Sequence, residues 1–472
     1  MSYKKKLIVF SIFFVFFILF SCISFWRYNT GQVFYYDFGH FVRVLWLISR
    51  FTPPIIQHKV LGEINFLGDH FSPSLYVLAP LFWITTKTQI LLLEQAFFTV
   101  LSGFLIFVIA KKERLSLFSA LTTSLLFLLF AGTENPLVTD WHTESTAATF
   151  LLLFIYLFIY KNKRLLAIIC ALIFIGFKDS NPLSLIFILL PFFIEVKTKR
   201  LSIFLILLMS LVYFLIITCI VSPSISKQPY LYSPILPNHL LAYFTNFINL
   251  QIKRKLIFDS LLSFGLLPIL SGFFLLPIIG ELSIRLVPEY IHSQSFTLGM
   301  HYNVYLGVFL AIASIKALVF TNRLFLKTRF NMPNIIPVLV LLIALFVAKK
   351  ITNSPINLAT NKIFLKEWNN KTELYKEIFF VPKYGSIMSQ NNILPHLLQR
   401  REKVFLLSLE YTKFSPTTIV FDLFPGQNIN NYYSGEIQSI KQVEQLKLLL
   451  LKDHKYQRLI TPYNELFIFR KL

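Results

Sequence analysis

The sequence predicts an all-α polytopic membrane protein of about eleven spans followed by a small α/β domain, and three of its features carry that prediction. Roughly eleven apolar runs of bilayer length fill residues 1–350. The charges between them fall in short cationic clusters. Beyond residue 351 the composition turns to that of a soluble chain. Of 472 residues 55% are hydrophobic and only 14% charged, which is too apolar for a soluble protein of this length.

The net charge of +22, from 45 Lys and Arg against 23 Asp and Glu, would in a soluble chain suggest nucleic acid. Here the cations sit between apolar runs, so topology and anionic lipid account for them and no nucleic-acid partner is expected. Cys22, Cys170 and Cys219 each lie inside an apolar run without paired spacing, which suggests neither a disulfide frame nor a zinc site.

The first run, 7–25, follows Lys4, Lys5 and Lys6; its length and the lack of a small-residue cleavage site predict a retained anchor. With those lysines in the cytoplasm, the clusters at 111–114, 161–164, 197–200 and 322–329 also fall inside, provided 71–86 is a re-entrant or interfacial helix. Pro73 and Pro80 in that stretch support this reading. The spans that follow are 89–110, 115–131, 146–160, 164–177, 181–196, 201–221, 257–269, 272–287, 302–320 and 335–348, with Gly265, Pro268, Gly272 and Pro277 breaking the 257–287 pair into short halves. The amino end is then inside and the carboxyl end outside. Residues 1–350 form the transmembrane domain, with a first outer loop over 26–70, and 351–472 the extracytoplasmic α/β domain. In the latter, strands are expected at 403–407, 417–421, 459–460 and 466–469 and helices at 393–400 and 437–451. With no phosphate loop or metal spacing, a capping or substrate-docking role suits it.

An orientation set by Lys and Arg alone puts nearly every membrane-proximal acid and histidine on the outer side, the pattern an outward-facing active site produces. Asp37, His40 and Arg43 lie where the first loop begins an amphipathic segment, expected on the bilayer surface with its apolar face down. Asp37 is either the N-cap of that helix or a base for an acceptor hydroxyl or a cation ligand. Asp69 and His70 close the loop; adjacent side chains diverge, so only one need face a site. The knot Thr139-Asp140-Trp141-His142-Thr143-Glu144 sets Asp140 and Glu144 at i and i+4 if the next helix begins early, with His142 completing a metal or acid/base set; helix capping competes. Lys178-Asp179 ends an apolar run, where a compensated pair is cheaper than a lone charge and the lysine can meet a lipid phosphate. His301 and Tyr302 precede another span, where an interfacial anchor is the competing account.

Read in order, YYDFGHF, LGDHFSPSLYVLAPLF, TDWHTE, FKDSNP, MHYNVY and VPKYGSIMSQNNILPHLLQRREKVFLL resemble the DUF2079 family of predicted bacterial membrane proteins, similar in layout to the GT-C superfamily of membrane glycosyltransferases. The resemblance implies a GT-C-like fold and transfer of a hexosyl or pentosyl group from a polyprenyl-phosphate carrier to an extracytoplasmic acceptor. It makes Asp37 the first-loop acid, with His40, Asp140 and His142 beside it in catalysis. Arg43, Asp69, His70, Glu144, Lys178, Asp179, His301 and Tyr302 are then expected at substrate, and a divalent cation, Mg or Mn, has Asp37, Asp140 and His142 as possible ligands. A lipid or solute transporter and a non-catalytic envelope-polysaccharide assembly protein are the alternatives. The first needs ionisable groups near the bilayer midplane or internal repeats, whereas the charges here lie at span ends.

Overall fold

A computed structural model describes residues 2–58, 62–289, 293–325, 332–367, 375–376, 378–424, 428–432, 437–462 and 465–472. The chain is a mostly helical multi-pass membrane protein. Six helices among the described residues are long and apolar enough to cross a bilayer: α1 (Tyr3–Asn29), Gln89–Lys112, Thr143–Tyr160, Lys197–Ser226, Leu267–Leu286 and His301–Leu324. Leu117–Leu128 and Ala131–Thr139 make a seventh if counted as one span bent by 58°. Other apolar runs expected as spans build shorter helices. Residues 164–177 give Arg164–Ile175, stopped at Gly176, and 181–196 give Asn181–Glu195, opened by Pro182. Residues 335–348 lie largely in Met332–Phe346. The stretch expected to be re-entrant is a short apolar helix, Leu75–Ile84. The fractured pair is a helix Gln251–Ser263, then a 3-10 segment in which Gly272 takes φ +63, then Leu275–Leu286. Residues 326–329 of the last cationic cluster lie outside the described residues.

The described chain divides into two compact units. The first comprises residues 1–23, 70–74 and 93–361. Its bent span turns at Phe130-Ala131, where Gly132 lies against the neighbouring helix; a Cβ there would come within 2.5 Å of the Asn303 side chain. Near the other helix ends, Lys316 bridges Glu113 at 2.7 Å and Glu195 at 2.9 Å, tying three helices by one ammonium group.

The second unit joins residues 24–69 and 75–92 to 362–472. The loop part carries helix α2 (His40–Ser49) and a hairpin of β1 (Ile55–His58) and β2 (Gly62–Asn65). Almost all of α2 is buried, so it packs inside this unit instead of floating on lipid. The carboxyl-terminal part is a five-stranded sheet in the order β4-β3-β5-β7-β6, formed by β3 (Ile387–Ser389), β4 (Val404–Leu406), β5 (Thr418–Asp422), β6 (Tyr456–Leu459) and β7 (Leu466–Lys471). Strands β4, β3 and β5 run parallel, and β7 and β6 antiparallel. The helix Ile440–Lys452 turns Val443, Leu446 and Leu450 onto Met388, Ile419 and Phe421 of the sheet, the i, i+3, i+7 stripe of a half-buried helix. The helix expected over 393–400 is only a 3-10 turn, Leu394–His396. Pro395 interrupts the pattern, and the Arg400 guanidinium is taken up by the carbonyls of Leu397, Gly385 and Pro382, which an α-helix would not present together.

Candidate functional site

In the first unit the polar knot resolves into a loop and a helix start. The helix Thr143–Ile155 begins at Thr143 with His142, in extended backbone, as its N-cap residue. Asp140 therefore precedes the helix, and the shared face expected for Asp140 and Glu144 does not form. Gln95 fixes the turn: its amide donates to the carbonyls of Pro136 (2.9 Å) and Asp140 (3.1 Å), and its Oε1 accepts the His142 N–H (2.7 Å). The neighbouring Glu94 accepts from Trp141 Nε1 at 2.7 Å and from Thr146. Neither Glu94 nor Gln95 was expected at a site, although two adjacent polar residues inside the apolar run 89–110 were the signal for them.

Glu144 stands in the first turn of its helix, where a carboxylate meets the positive end of the dipole. Lys178 Nζ reaches its Oε1 at 2.6 Å, and His301 Nε2 lies 3.7 Å from the same oxygen. The His301 ring stacks on His142 with centroids 3.7 Å apart and lies against Tyr302 at 4.0 Å. Lys178 also sits over the Tyr302 ring. Beside it, Asp179 accepts from His70 Nδ1 at 3.3 Å, and His70 stacks face to face on Tyr232. The first unit thus gathers His70, His142, Glu144, Lys178, Asp179, His301 and Tyr302 into one neighbourhood. Burial opposes the Lys178 charge, but the Glu144 carboxylate outweighs it and holds the ammonium above the ordinary lysine value. Burial likewise pushes Asp179 up, yet His70 and Lys178 keep its carboxyl below the usual range.

Glu281 and Arg285 were also unexpected. Ser184 donates to Glu281 at 2.7 Å, while Arg285 donates twice to Asn303 Oδ1 at 3.1 Å and to the Ser295 carbonyl. Their sequence signal was an acid and a base four residues apart inside a broken apolar run.

His142, Glu144 and His301, all buried, offer ligand atoms within 4.8 Å of one another, a set a metal ion can use. It shares only His142 with the ligands expected from sequence. Two imidazoles with one carboxylate suit a borderline ion such as Zn²⁺ better than Mg²⁺. Both Glu144 oxygens already have partners, Oε1 the Lys178 ammonium and Oε2 the Thr143 hydroxyl at 3.4 Å.

The second unit holds Asp37, His40, Arg43 and Asp69. Asp37 is half-buried in the middle of a π-helical turn, Tyr35–Gly39, whose N-cap residue is Phe34; α2 has Gly39 in that place. Asp37 is thus not a helix cap, and among the described residues no hydrogen bond or ion pair holds its carboxylate. His40 Nε2 donates to the Gln57 carbonyl at 3.2 Å. Arg43, expected at a phosphate, donates instead to the carbonyls of Leu398 (3.4 Å), Arg400 and Glu402 (2.9 Å). Asp69 is buried 3.9 Å from His58 while His70 turns to Asp179, so the two neighbours diverge as alternate side chains do.

The sequence matches the family described as predicted membrane protein (DUF2079) over residues 30–456. No curated protein matches it. Among solved structures, the fold is similar to that of ArnT from Cupriavidus metallidurans. The undecaprenyl phosphate-bound form gives TM-score 0.52 at 11% identity, over 96% of this chain and 97% of that one. The apo form gives 0.53 at 10% identity, over 98% of each.

Proposed function

The chain belongs to the DUF2079 family of predicted membrane proteins, and from that premise we propose that it is a GT-C-type glycosyltransferase drawing its sugar from a polyprenyl-phosphate carrier. The observation that carries the proposal is the likeness to ArnT along nearly the whole length of both chains, soluble portion included, in a protein one of whose structures holds undecaprenyl phosphate. A lysine such as Lys178, paired with Glu144 beside two histidines in a buried neighbourhood, is the kind of group that receives a lipid phosphate.

In this reading Asp37 takes the proton of an acceptor hydroxyl. The acceptor oxygen forms its bond to the anomeric carbon as the carbon–phosphate oxygen bond breaks, with inversion, and polyprenyl phosphate leaves with the bonding electrons. To Lys178, in the first unit, we assign the binding of a lipid phosphate. His70 and Asp179 position the donor, with Tyr302 under the ammonium. The reaction face is extracytoplasmic in the bacterial inner membrane, the amino end being cytoplasmic. Purified protein in liposomes, given radiolabelled polyprenyl-phosphate sugar and an acceptor mixture from cell envelopes on one side only, is expected to release polyprenyl phosphate. Movement of intact donor across the bilayer without release would instead identify a transporter.

His142, Glu144 and His301 form the proposed metal site. A divalent ion there would supply positive charge near the donor phosphate. Zn²⁺ titration of the full-length protein is expected to show one tight site, weakened at least about tenfold in His301→Ala. Unchanged affinity in that variant would exclude the trio as its ligands.

A further inference from the structure

The carboxyl-terminal sheet carries a feature that neither its expected capping role nor the transfer reaction uses. Strand β3 is flanked by β4 on one side and β5 on the other, all parallel, so the chain leaves β3 for β4 and then crosses back past β3 to reach β5. Such a reversal opens a crevice beyond the carboxyl ends of the strands, where soluble α/β domains bind their ligands. Here the residues just past β3 are Gln390, Asn391 and Asn392, all buried.

The turn that bears Asp37 is seated on them. The Tyr35 N–H donates both to the Asn391 carbonyl (2.8 Å) and to Asn391 Oδ1 (2.9 Å). Asn391 is itself fixed, its amide nitrogen donating to the Asn430 carbonyl at 2.9 Å and its backbone N–H to Asn431 at 3.0 Å. Tyr35 is fully buried, and its hydroxyl accepts the Gln57 N–H at 3.1 Å. At the end of the turn Gly39 packs so closely that a Cβ would come within 2.9 Å of the Tyr35 ring and 3.4 Å of Leu398. One turn further, Arg43 binds three carbonyls between 398 and 402, and Tyr28 stacks edge-on against His396 at 4.5 Å. Two residues from Asp37 on either side are therefore clamped, and the clamp comes from the carboxyl-terminal domain.

We propose that Asn391 and Arg43 are positioning residues for the acid: the crevice that would hold a ligand in a free-standing α/β domain holds the Asp37 turn of the chain's own first loop. This rests on the reading of Asp37 as the base. The domain is then part of the catalytic framework, since a turn displaced by about an ångström takes the carboxylate out of reach of the acceptor proton.

The test uses full-length protein in nanodiscs with Asn391→Leu, Asn391→Asp and Gly39→Ala. In Asn391→Leu we expect kcat to fall about 10–100-fold with donor KM within about twofold, and amide exchange across 35–40 to accelerate. Asn391→Asp keeps an acceptor oxygen for the Tyr35 N–H but loses the donor to the Asn430 carbonyl, and is expected to recover only part of kcat. If Asn391→Leu does not fold, Gly39→Ala, which displaces the same turn from the loop side, is expected to give the same kcat loss and exchange change. Wild-type kcat, a change in KM alone, or an unaltered exchange pattern in the folded variant would overturn the proposal. Asp37→Asn run in parallel separates the two readings: if it retains transfer the base is elsewhere, while the exchange data still decide whether the domain holds the turn.

Discussion

Asp37→Asn is expected to lower transfer by about 10²–10⁴-fold while the protein folds and inserts as before. Asparagine keeps the volume and one acceptor oxygen of aspartate but cannot take a proton at neutral pH. The carboxylate is half-buried and, among the described residues, held by no hydrogen bond or ion pair, so its removal orphans no buried partner. The stability change should stay within about 0.5 kcal/mol, the usual range for a substitution that breaks no packed contact. Release of polyprenyl phosphate and the melting temperature of the solubilised protein measure the two sides. Transfer at the wild-type rate would remove Asp37 from the chemistry; a large loss of stability would mean that it serves the fold.

Lys178→Met should behave in the opposite manner, with both properties failing together. Removing the ammonium leaves the Glu144 carboxylate buried without its closest counter-charge, with His301 at 3.7 Å, the Thr143 hydroxyl and the helix N-terminus left beside it. Breaking one side of a buried ion pair costs about 3–5 kcal/mol. The double variant Lys178→Met, Glu144→Gln replaces the pair with neutral groups of similar volume and is expected to regain most of that stability. Transfer in it should remain down by at least about 10²-fold, because the lipid phosphate has lost its counter-charge. A stable double variant with full activity would reduce the pair to a structural tie.

The two variants probe residues whose visibility in the sequence differed. Asp37 stood out as a carboxylate directly after an apolar run, and Glu144 and His142 as part of a dense polar knot, because ionisable groups beside a bilayer are costly and therefore few. Their geometry was another matter. The expected Asp140–Glu144 face required the helix to begin before Asp140, whereas Gln95, on a different helix, ties down the turn at 140–142 and delays it to Thr143. Arg43 resembled a phosphate ligand because its segment looked like a surface helix. The carbonyls that capture it belong to residues more than 350 positions away, beyond the reach of any local pattern.

From the sequence alone came the membrane class, the apolar runs, a carboxyl-terminal region of strands and the list of residues worth attention. Each of these follows from a property that adds up along the chain: the cost of taking a given side chain out of water, and the period with which that cost recurs. Tertiary structure alone decided that His70, Glu144, Lys178 and His301 meet, that the metal-capable trio is His142, Glu144 and His301, and that Asn391 grips the amide of Tyr35 across 356 residues. Those meetings depend on how helices and strands pack against one another, and packing selects partners by shape and hydrogen-bond satisfaction between segments that carry no mark of each other in sequence.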